Sequence, residues 1–329
     1  MGTLSGQGRT PLSALMLDPK LTAAGWQMAF FGNYDDEPAA VYHPGLNAAL
    51  AAGEALRHVD TGGTFRPDEA WMVERRVSEM QASGKKIFDA PKIRIANDPV
   101  PGSPVSIERT TYFNGLVTNE LCLKTYRPCD GLEIDGTDKA FPLATIPRLS
   151  RSRMSNHLGV STLAFDEDGK MILCVTGSAS AVSAGKISAS ASGSVDQEDI
   201  EGAETLTDAA IASINRELTE EVGLTEDIVV QTRIIAFLRN LERGGKPEFV
   251  GVSKILTKFS EAATVVSDVE QGFIDGHMVL DVAVLGIDGV SEWMAKNQSR
   301  TSYALRSSWE FFCLEYARPG SRLSAWLRT

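Results

Sequence analysis

R-E-L-T-E-E-V-G-L, residues 216–224, is the stretch of this sequence that carries the most information. Read as an α-helix with 3.6 residues per turn, it places the carboxylates of Glu217, Glu220 and Glu221 on one face. Apolar residues recur on the neighbouring side of the same helix, at Ile211, Ile214, Leu218 and Val222. The pattern predicts a helix that buries one side and concentrates negative charge on the next. Gly223 is expected to end it.

Three carboxylates within one helical turn repel one another unless positive charge lies among them. Arg216, one turn before Glu220, can neutralise part of that charge, and we expect a hard divalent cation to neutralise the rest. Carboxylate oxygens suit Mg²⁺, with Mn²⁺ as an alternative. The other interpretation is an acidic, solvated helix end that binds no metal.

The same run resembles the second half of the Nudix box, G-x5-E-x7-R-E-U-x-E-E-x-G-U, in which U is aliphatic. Every specified position of that half is matched by residues 216–224. In the first half, Gly202 stands at the position of the box glycine, but Asp208 stands where the family has Glu. Gly193, followed by an insertion, is the other candidate for the box glycine.

The Nudix resemblance implies an α+β fold, an α/β/α sandwich with a mixed sheet. It also implies Mg²⁺-dependent hydrolysis of the diphosphate bond of a nucleoside diphosphate derivative. Glu217, Glu220 and Glu221 would bind the metal, and Arg216 would orient them by pairing with a carboxylate. Glu220 is the first candidate to accept the proton of the attacking water. Glu248 is a second candidate, as base or further ligand, and a solvent-facing strand carboxylate is the alternative for it.

Other segments resemble the eukaryotic two-domain UDP-glucose/UDP-galactose hydrolases of the Nudix family, in which the box is degraded. The matching positions are Trp71, Arg75, 88–94 (F-D-A-P-K-I-R), Arg109, 111–112, 118–119, 238–240 and 247–249. This resemblance implies that a UDP-sugar is converted to UMP and a sugar 1-phosphate. Arg94, Arg109, Tyr112 and Asn119 would then bind substrate. Structural pairing within the N-terminal domain is the alternative role for these four.

Two other functions stay open at this stage. The chain could be a Nudix pyrophosphatase for NADH, ADP-ribose or a dinucleotide. It could also be a sensor that binds a nucleotide without hydrolysing it, although a pure binder has no need of three adjacent carboxylates.

Composition limits the partners of the chain. Of its 329 residues, 43% are hydrophobic, which suffices for the cores of two domains. Residues 1–150 are predicted to form a smaller N-terminal α/β domain with a possible part in substrate recognition. Residues 151–329 are predicted to form the hydrolase domain. A net charge of -11 argues against nucleic acid or an anionic membrane as partner. Four cysteines and four scattered histidines show no metal-ligand spacing, and no apolar run matches a membrane span or signal peptide. We expect a cytoplasmic protein, and the sequence gives no indication of its oligomeric state.

Periodicity predicts several elements around the central helix. Helices are expected from Pro67 to Ser83, from an N-cap at Thr205 or Thr207, and at 303–316. Strands are expected at the end of 86–95 and at 105–112, 157–165, 171–176, 228–238, 249–259 and 278–287. The acidic stretch 195–206 is interpreted as an insertion. The Gly/Ala/Ser-rich stretch 177–194 is interpreted as a loop-strand-loop whose small side chains let a diphosphate approach the backbone.

Overall fold

A computed structural model describes residues 3–5, 10–31, 37–84, 87–129, 131–177, 184–225, 228, 230–259 and 273–328. Part of the predicted loop-strand-loop, residues 178–183, therefore lies outside the described residues. The strands are β1 Thr3–Ser5, β2 Met16–Leu17, β3 Gln27–Ala29, β4 Ala40–Tyr42, β5 His58–Thr64, β6 Pro91–Ile95, β7 Val105–Thr111, β8 Thr125–Cys129, β9 Leu132–Asp135, β10 Thr145–Ile146, β11 Gly159–Phe165, β12 Lys170–Thr176, β13 Ile187–Ser188, β14 Ala191–Ser194, β15 Val230–Asn240, β16 Lys246–Ile255 and β17 Ile274–Asp281. The helices are α1 Pro19–Ala23, α2 Pro44–Ala51, α3 Val73–Ala82, α4 Tyr112–Leu116, α5 Gly136–Ala140, α6 Gln197–Glu201, α7 Leu206–Glu217, α8 Val282–Lys296, α9 Tyr303–Ala317 and α10 Leu323–Arg328.

A mixed sheet forms the centre of the molecule. Its order is β13-β12-β11-β16-β15-β4-β3, and β14 and β17 pair with β11 and β12 outside that path. Strands β11 and β16 run parallel, with Gly159 opposite Glu248, whereas β15 and β16 run antiparallel. The register of β11 and β16 brings Glu248 to the end of the sheet where β14 also lies, since Gly159 pairs with Ser194 as well.

Helices cover both faces of this sheet. Alternate side chains of β11 point to opposite faces, so Val160 and Ala164 belong to the core under α7, while Leu163 and Phe165 belong to the core under α8 and α9. The fold class predicted from the sequence, α+β with a mixed sheet between helical layers, is confirmed.

Residues before position 150 contribute to the same sheet. Strand β4 pairs with β15, with Tyr42 opposite Leu238, and β3 pairs with β4. A separate three-stranded sheet, β5-β7-β6, contains the predicted antiparallel pair β6 and β7. The backbone of β6 also bonds to the segment before β11, where Leu158 N–H donates to Ile93 O at 2.8 Å. The domain division near residue 150 stays a prediction.

Three element predictions need correction. The last strand ends at Asp281 rather than 287, because the Asp281 side chain accepts a hydrogen bond from Val284 N–H and caps α8. The stretch 195–206 contains a short helix, α6, begun by a reciprocal capping pair of Asp196 and Asp199. The helix predicted from Pro67 begins as a 3₁₀ turn at Ala70 and becomes α-helical at Val73.

Within the described residues, no helix is long and apolar enough to span a bilayer.

Candidate functional site

Helix α7 begins at one of the two predicted N-caps, and its continuation ends at Gly223 as the sequence predicts. Thr205 is its N-cap, and Thr205 and Asp208 satisfy each other's backbone N–H in a capping box. Asp208, which stands where the Nudix pattern has Glu, thus has a local structural role as part of the helix cap. After Glu217 the helix widens into one π turn, Leu218–Val222, and Gly223 follows with φ 76°, a left-handed conformation that glycine adopts without strain.

Arg216 lies among four carboxylates at the end of α7. Its Nη1 is 2.9 Å from Glu217 Oε1 and 3.4 Å from Glu220 Oε2, and its Nη2 is 3.3 Å from Asp196 and from Asp199. Burial alone would lower the pKa of Arg216, but Glu217 and Asp199 raise it above its usual value. The guanidinium is therefore permanently charged and fixes the side chain of Glu217 against α6.

Glu217 is held in a buried position against β14. A Cβ atom added to Gly193 would collide with the Glu217 carboxylate, so this close approach requires glycine at 193. Burial raises the pKa of Glu217 to about 7; Arg216 opposes the shift and Glu220 adds to it. A buried carboxylate with so high a pKa lacks sufficient positive charge nearby, and a bound cation would supply it.

Glu221 faces the same strand. Its Oε2 accepts a hydrogen bond from Ser192 N–H at 3.0 Å, and the His277 ring contacts its backbone carbonyl at 2.9 Å. Glu220 is more exposed and extends towards Arg216 instead. The structure therefore places Glu217 against Gly193 and Glu221 against the neighbouring Ser192, while Glu220 pairs with Arg216.

Two adjoining cavities, each of about 250 Å³, open beside these residues. They share one wall, formed by Tyr112, Ser192, Gly193, Ser194, Glu221 and Phe273. We call one the aromatic cavity, which is further lined by Ile87, Phe88, Ala90, Lys92 and Glu217. We call the other the polar cavity, which is further lined by residues that include His157, Asn240, Arg243, Lys246, Glu248 and Tyr303.

Glu248 lies buried in the polar cavity, not on a solvent-facing strand edge. Its Oε1 is 3.4 Å from Asn240 Nδ2, 3.5 Å from Lys246 Nζ and 3.6 Å from Arg243 Nη1. Arg243 also pairs with the buried carboxylate of Glu120. Burial, together with the charge of Arg243, lowers the pKa of Lys246 to about 8. The solvent-facing alternative for Glu248 is therefore wrong.

The four predicted substrate-binding residues lie in different environments. Tyr112 lines both cavities, and burial raises its pKa to about 12. Arg94 is buried, 2.7 Å from Glu108, and Asn119 is buried where its Nδ2 donates to Arg243 O at 2.8 Å. Arg109 is exposed on β7. Their substrate-binding role stays a prediction, which the placement of Tyr112 favours more than that of the other three.

Sequence reasoning missed the cations of the polar cavity. Arg243 and Lys246 flank Gly244 and Gly245 in the turn between β15 and β16, where positive charge is ordinarily solvated. Lys246 is nevertheless only 1% exposed. The sequence offered one signal: Arg243 and Lys246 lie close to residues 247–249, which match the UDP-glucose/UDP-galactose hydrolases.

The carboxylates only partly fit the predicted metal site. In the parts of the chain that the structure describes, no three His, Cys, Asp or Glu side chains converge closely enough to hold a metal ion. Glu217 and Glu221 nevertheless line one cavity beside the Gly193 backbone. The pKa of Glu217 is raised by burial, which Arg216 only partly offsets, so a bound cation would stabilise its carboxylate. These two residues would hold a hard cation, and Glu220 would need to turn from Arg216 to join them.

Comparison with known proteins gives a limited result. Neither a protein-family model nor a curated protein matches the chain. Among solved structures, DR0079 from Deinococcus radiodurans matches with 13% identity and TM-score 0.33, over 48% of this chain and 83% of that chain. The MutT protein from Methanosarcina mazei Go1 matches with 18% identity and TM-score 0.32, over 49% and 95%. A NUDIX hydrolase from Nitrosomonas europaea matches with 12% identity and TM-score 0.31, over 48% and 88%. The functional conclusion therefore depends on the residues of the site.

Proposed function

We propose that this chain is a Nudix hydrolase that cleaves the diphosphate bond of a nucleoside diphosphate derivative with the help of Mg²⁺. The observation that carries the proposal is the arrangement around Gly193. The buried Glu217 lies against it, Glu221 bonds to the adjacent Ser192 N–H, and Arg216 fixes Glu217 from behind. Glycine at 193 lets the Glu217 carboxylate lie against the backbone near Glu221, and two neighbouring carboxylates suit a divalent cation that in turn binds a diphosphate.

We propose a UDP-sugar as the substrate, of which UDP-glucose and UDP-galactose are the first candidates. Support comes from the sequence resemblance and from the part of the chain that supplies the residues lining the aromatic cavity. Phe88, Lys92 and Tyr112, all from the part of the chain before residue 150, line the aromatic cavity. That part of the chain would thereby take part in substrate recognition.

The reaction adds water across the phosphoanhydride and gives two phosphomonoesters, here UMP and a sugar 1-phosphate. When bound, Mg²⁺ supplies positive charge for the phosphate oxygens and lowers the pKa of a bound water. Arg216 keeps Glu217 in place, and Ser192 N–H fixes Glu221. The proton of the attacking water goes to a carboxylate, for which Glu220 and Glu248 are the candidates. Of these two, Glu248 lines a cavity.

The test is a hydrolysis assay with Mg²⁺ on UDP-glucose, UDP-galactose, ADP-ribose, NADH and a dinucleotide, with products identified by mass. We expect UMP and hexose 1-phosphate, and no product in excess chelator. Hydrolysis in ¹⁸O-labelled water identifies the attacked phosphorus, since the label enters one product. Nucleotide binding that raises the melting temperature while no substrate is hydrolysed would overturn the proposal in favour of a sensor.

Replacement of Gly193 by alanine tests the carboxylate arrangement. The added Cβ would displace the Glu217 carboxylate, which is the far end of a long side chain and not backbone, so we expect the fold to persist. Hydrolysis should fall roughly 10–100-fold, as when a group that positions a metal ligand is lost.

Gly202→Ala is the matched control. Gly202 has φ −91°, and the nearest atom to an added Cβ is Glu198 O at 3.8 Å. We expect activity within twofold of the unsubstituted chain. Equal losses of hydrolysis in Gly193→Ala and Gly202→Ala would show that hydrolysis does not depend on the contact between Gly193 and Glu217.

A further inference from the structure

We propose that the two cavities bind opposite ends of the substrate in one fixed orientation, with the nucleobase in the aromatic cavity and the sugar in the polar cavity. This inference rests on the proposed function and specifies how the same site recognises its substrate. Phe88 is then the residue that positions the base, and Asn240, Lys246 and Glu248 are those that recognise the sugar.

The shared wall fixes where the diphosphate lies. The Gly193 backbone and Glu221 belong to both cavities, so a diphosphate bound there has one cavity on each side. Each cavity, at about 250 Å³, is smaller than the roughly 300–1,000 Å³ of pockets that enclose a whole small ligand. A nucleoside diphosphate sugar therefore extends through both.

The aromatic cavity offers a stacking surface. Phe88 is 63% exposed, and Phe273 also lines this cavity. Ile87 and Ala90 add apolar surface beside it. Stacking on an aromatic side chain suits a nucleobase, because every base presents a flat π face. The charged Lys92 at this cavity is already paired with Asp196 and leaves the aromatic surface available.

The polar cavity offers buried donors and acceptors with balanced charge. Arg243 pairs with Glu120, and Lys246 lies beside Glu248, so the four charges cancel. Such a set favours a neutral group over a second phosphate.

Glu248 and Asn240 in the polar cavity can accept further hydrogen bonds. The three contacts of Glu248, at 3.4–3.6 Å, exceed the usual 2.7–3.2 Å of a hydrogen bond. Asn240 is 1% exposed, and its Oδ1 has no hydrogen-bond partner among the described residues. Buried polar atoms are costly when unsatisfied, and hydroxyl groups, which both donate and accept, would satisfy them. A hexose carries several hydroxyls, which can donate to Glu248 and Asn240 Oδ1 and accept from Lys246.

Separate binding of the two products tests the orientation. We would measure UMP and glucose 1-phosphate by calorimetry on the full chain with Mg²⁺. Phe88→Ala should weaken UMP binding about tenfold, as expected for loss of one stacking contact, and change glucose 1-phosphate binding less than twofold. Trp71→Ala is the matched control, because Trp71 is 58% exposed and lines neither cavity. It should change neither affinity.

Lys246→Met tests the other end. It should weaken glucose 1-phosphate binding about tenfold, as expected when a hydrogen bond to a charged group is lost, and leave UMP binding within twofold. Lys139→Met is the control for removal of a buried lysine: burial lowers the pKa of Lys139 to about 8 as well, and Lys139 lines neither cavity.

The outcomes separate the orientation from the proposed function. If the unsubstituted chain hydrolyses UDP-glucose but Phe88→Ala weakens glucose 1-phosphate binding and not UMP binding, the orientation is reversed and the inference is overturned. The orientation is also overturned if Phe88→Ala weakens the binding of neither UMP nor glucose 1-phosphate. If the unsubstituted chain binds neither product and hydrolyses no UDP-sugar, the proposed UDP-sugar substrate is wrong, and the orientation is overturned with it. Phe88 is exposed, so its test stands even if Lys246→Met does not fold.

Discussion

Glu221→Gln and Glu217→Gln are each expected to lower kcat on the order of 100-fold or more, with the fold intact. Both side chains line the cavity beside Gly193, and each substitution removes a negative charge that would hold the cation. The fold should persist because glutamine at 221 can still accept the Ser192 N–H bond, and because a neutral side chain at 217 suits burial better than a carboxylate. Steady-state kinetics over a range of Mg²⁺ concentrations, with melting temperatures, measures both effects.

Glu204→Gln is the control, since Glu204 is exposed at the start of the same helical region. Glu220→Gln is the informative comparison, because its carboxylate contacts Arg216 in this structure although the sequence predicts that it binds metal and removes the proton. Near-normal Mg²⁺-dependent turnover in both Glu217→Gln and Glu221→Gln would contradict the assignment of the site.

Arg239→Leu is expected to reduce the free energy of unfolding by about 3–5 kcal/mol, the usual cost of leaving one partner of a buried ion pair without the other. Arg239 is fully buried, with Nη1 2.9 Å from Asp98 Oδ1. Burial lowers the pKa of Arg239 and raises that of Asp98, so each charge depends on the other. Urea denaturation measures the loss.

Two comparisons sharpen this prediction. Lys296→Leu removes the exposed pair between Lys296 and Glu292, and it should cost no more than about 0.5 kcal/mol. Adding Asp98→Asn to Arg239→Leu should recover part of the loss, because the buried negative charge is then gone. If Arg239→Leu costs no more than Lys296→Leu, the buried pair contributes little to stability.

Local sequence determined the elements next to the site. The apolar stripe of α7 and its threonine cap predicted the helix, and Gly223 predicted where its continuation ends, because periodicity and capping act over a few residues; the π turn from Leu218 to Val222 was not predicted. The same reasoning failed after Asp281. There the apolar residues suited a strand, and only the capping bond of Asp281 shows that a helix begins.

Sequence periodicity also located β11, β12, β15, β16 and β17 of the central sheet, but it could not decide between Gly193 and Gly202. Spacing within the Nudix pattern favours Gly202, whereas in three dimensions Gly193 contacts Glu217. The capping role of Asp208 was likewise not predicted, because the comparison with the motif shows only that Asp stands in place of Glu.

By itself, the sequence determined a charged helix end and a mixed sheet, and it predicted that this helix end carries the chemistry. Only the tertiary structure decided what surrounds it: Lys92 reaches Asp196, 104 residues away, and Arg243 reaches Glu120, 123 residues away. The physical reason is one of range. Burial patterns and caps are set by neighbours in the chain, whereas a cavity is formed by segments that meet only once the sheet and its helices have packed.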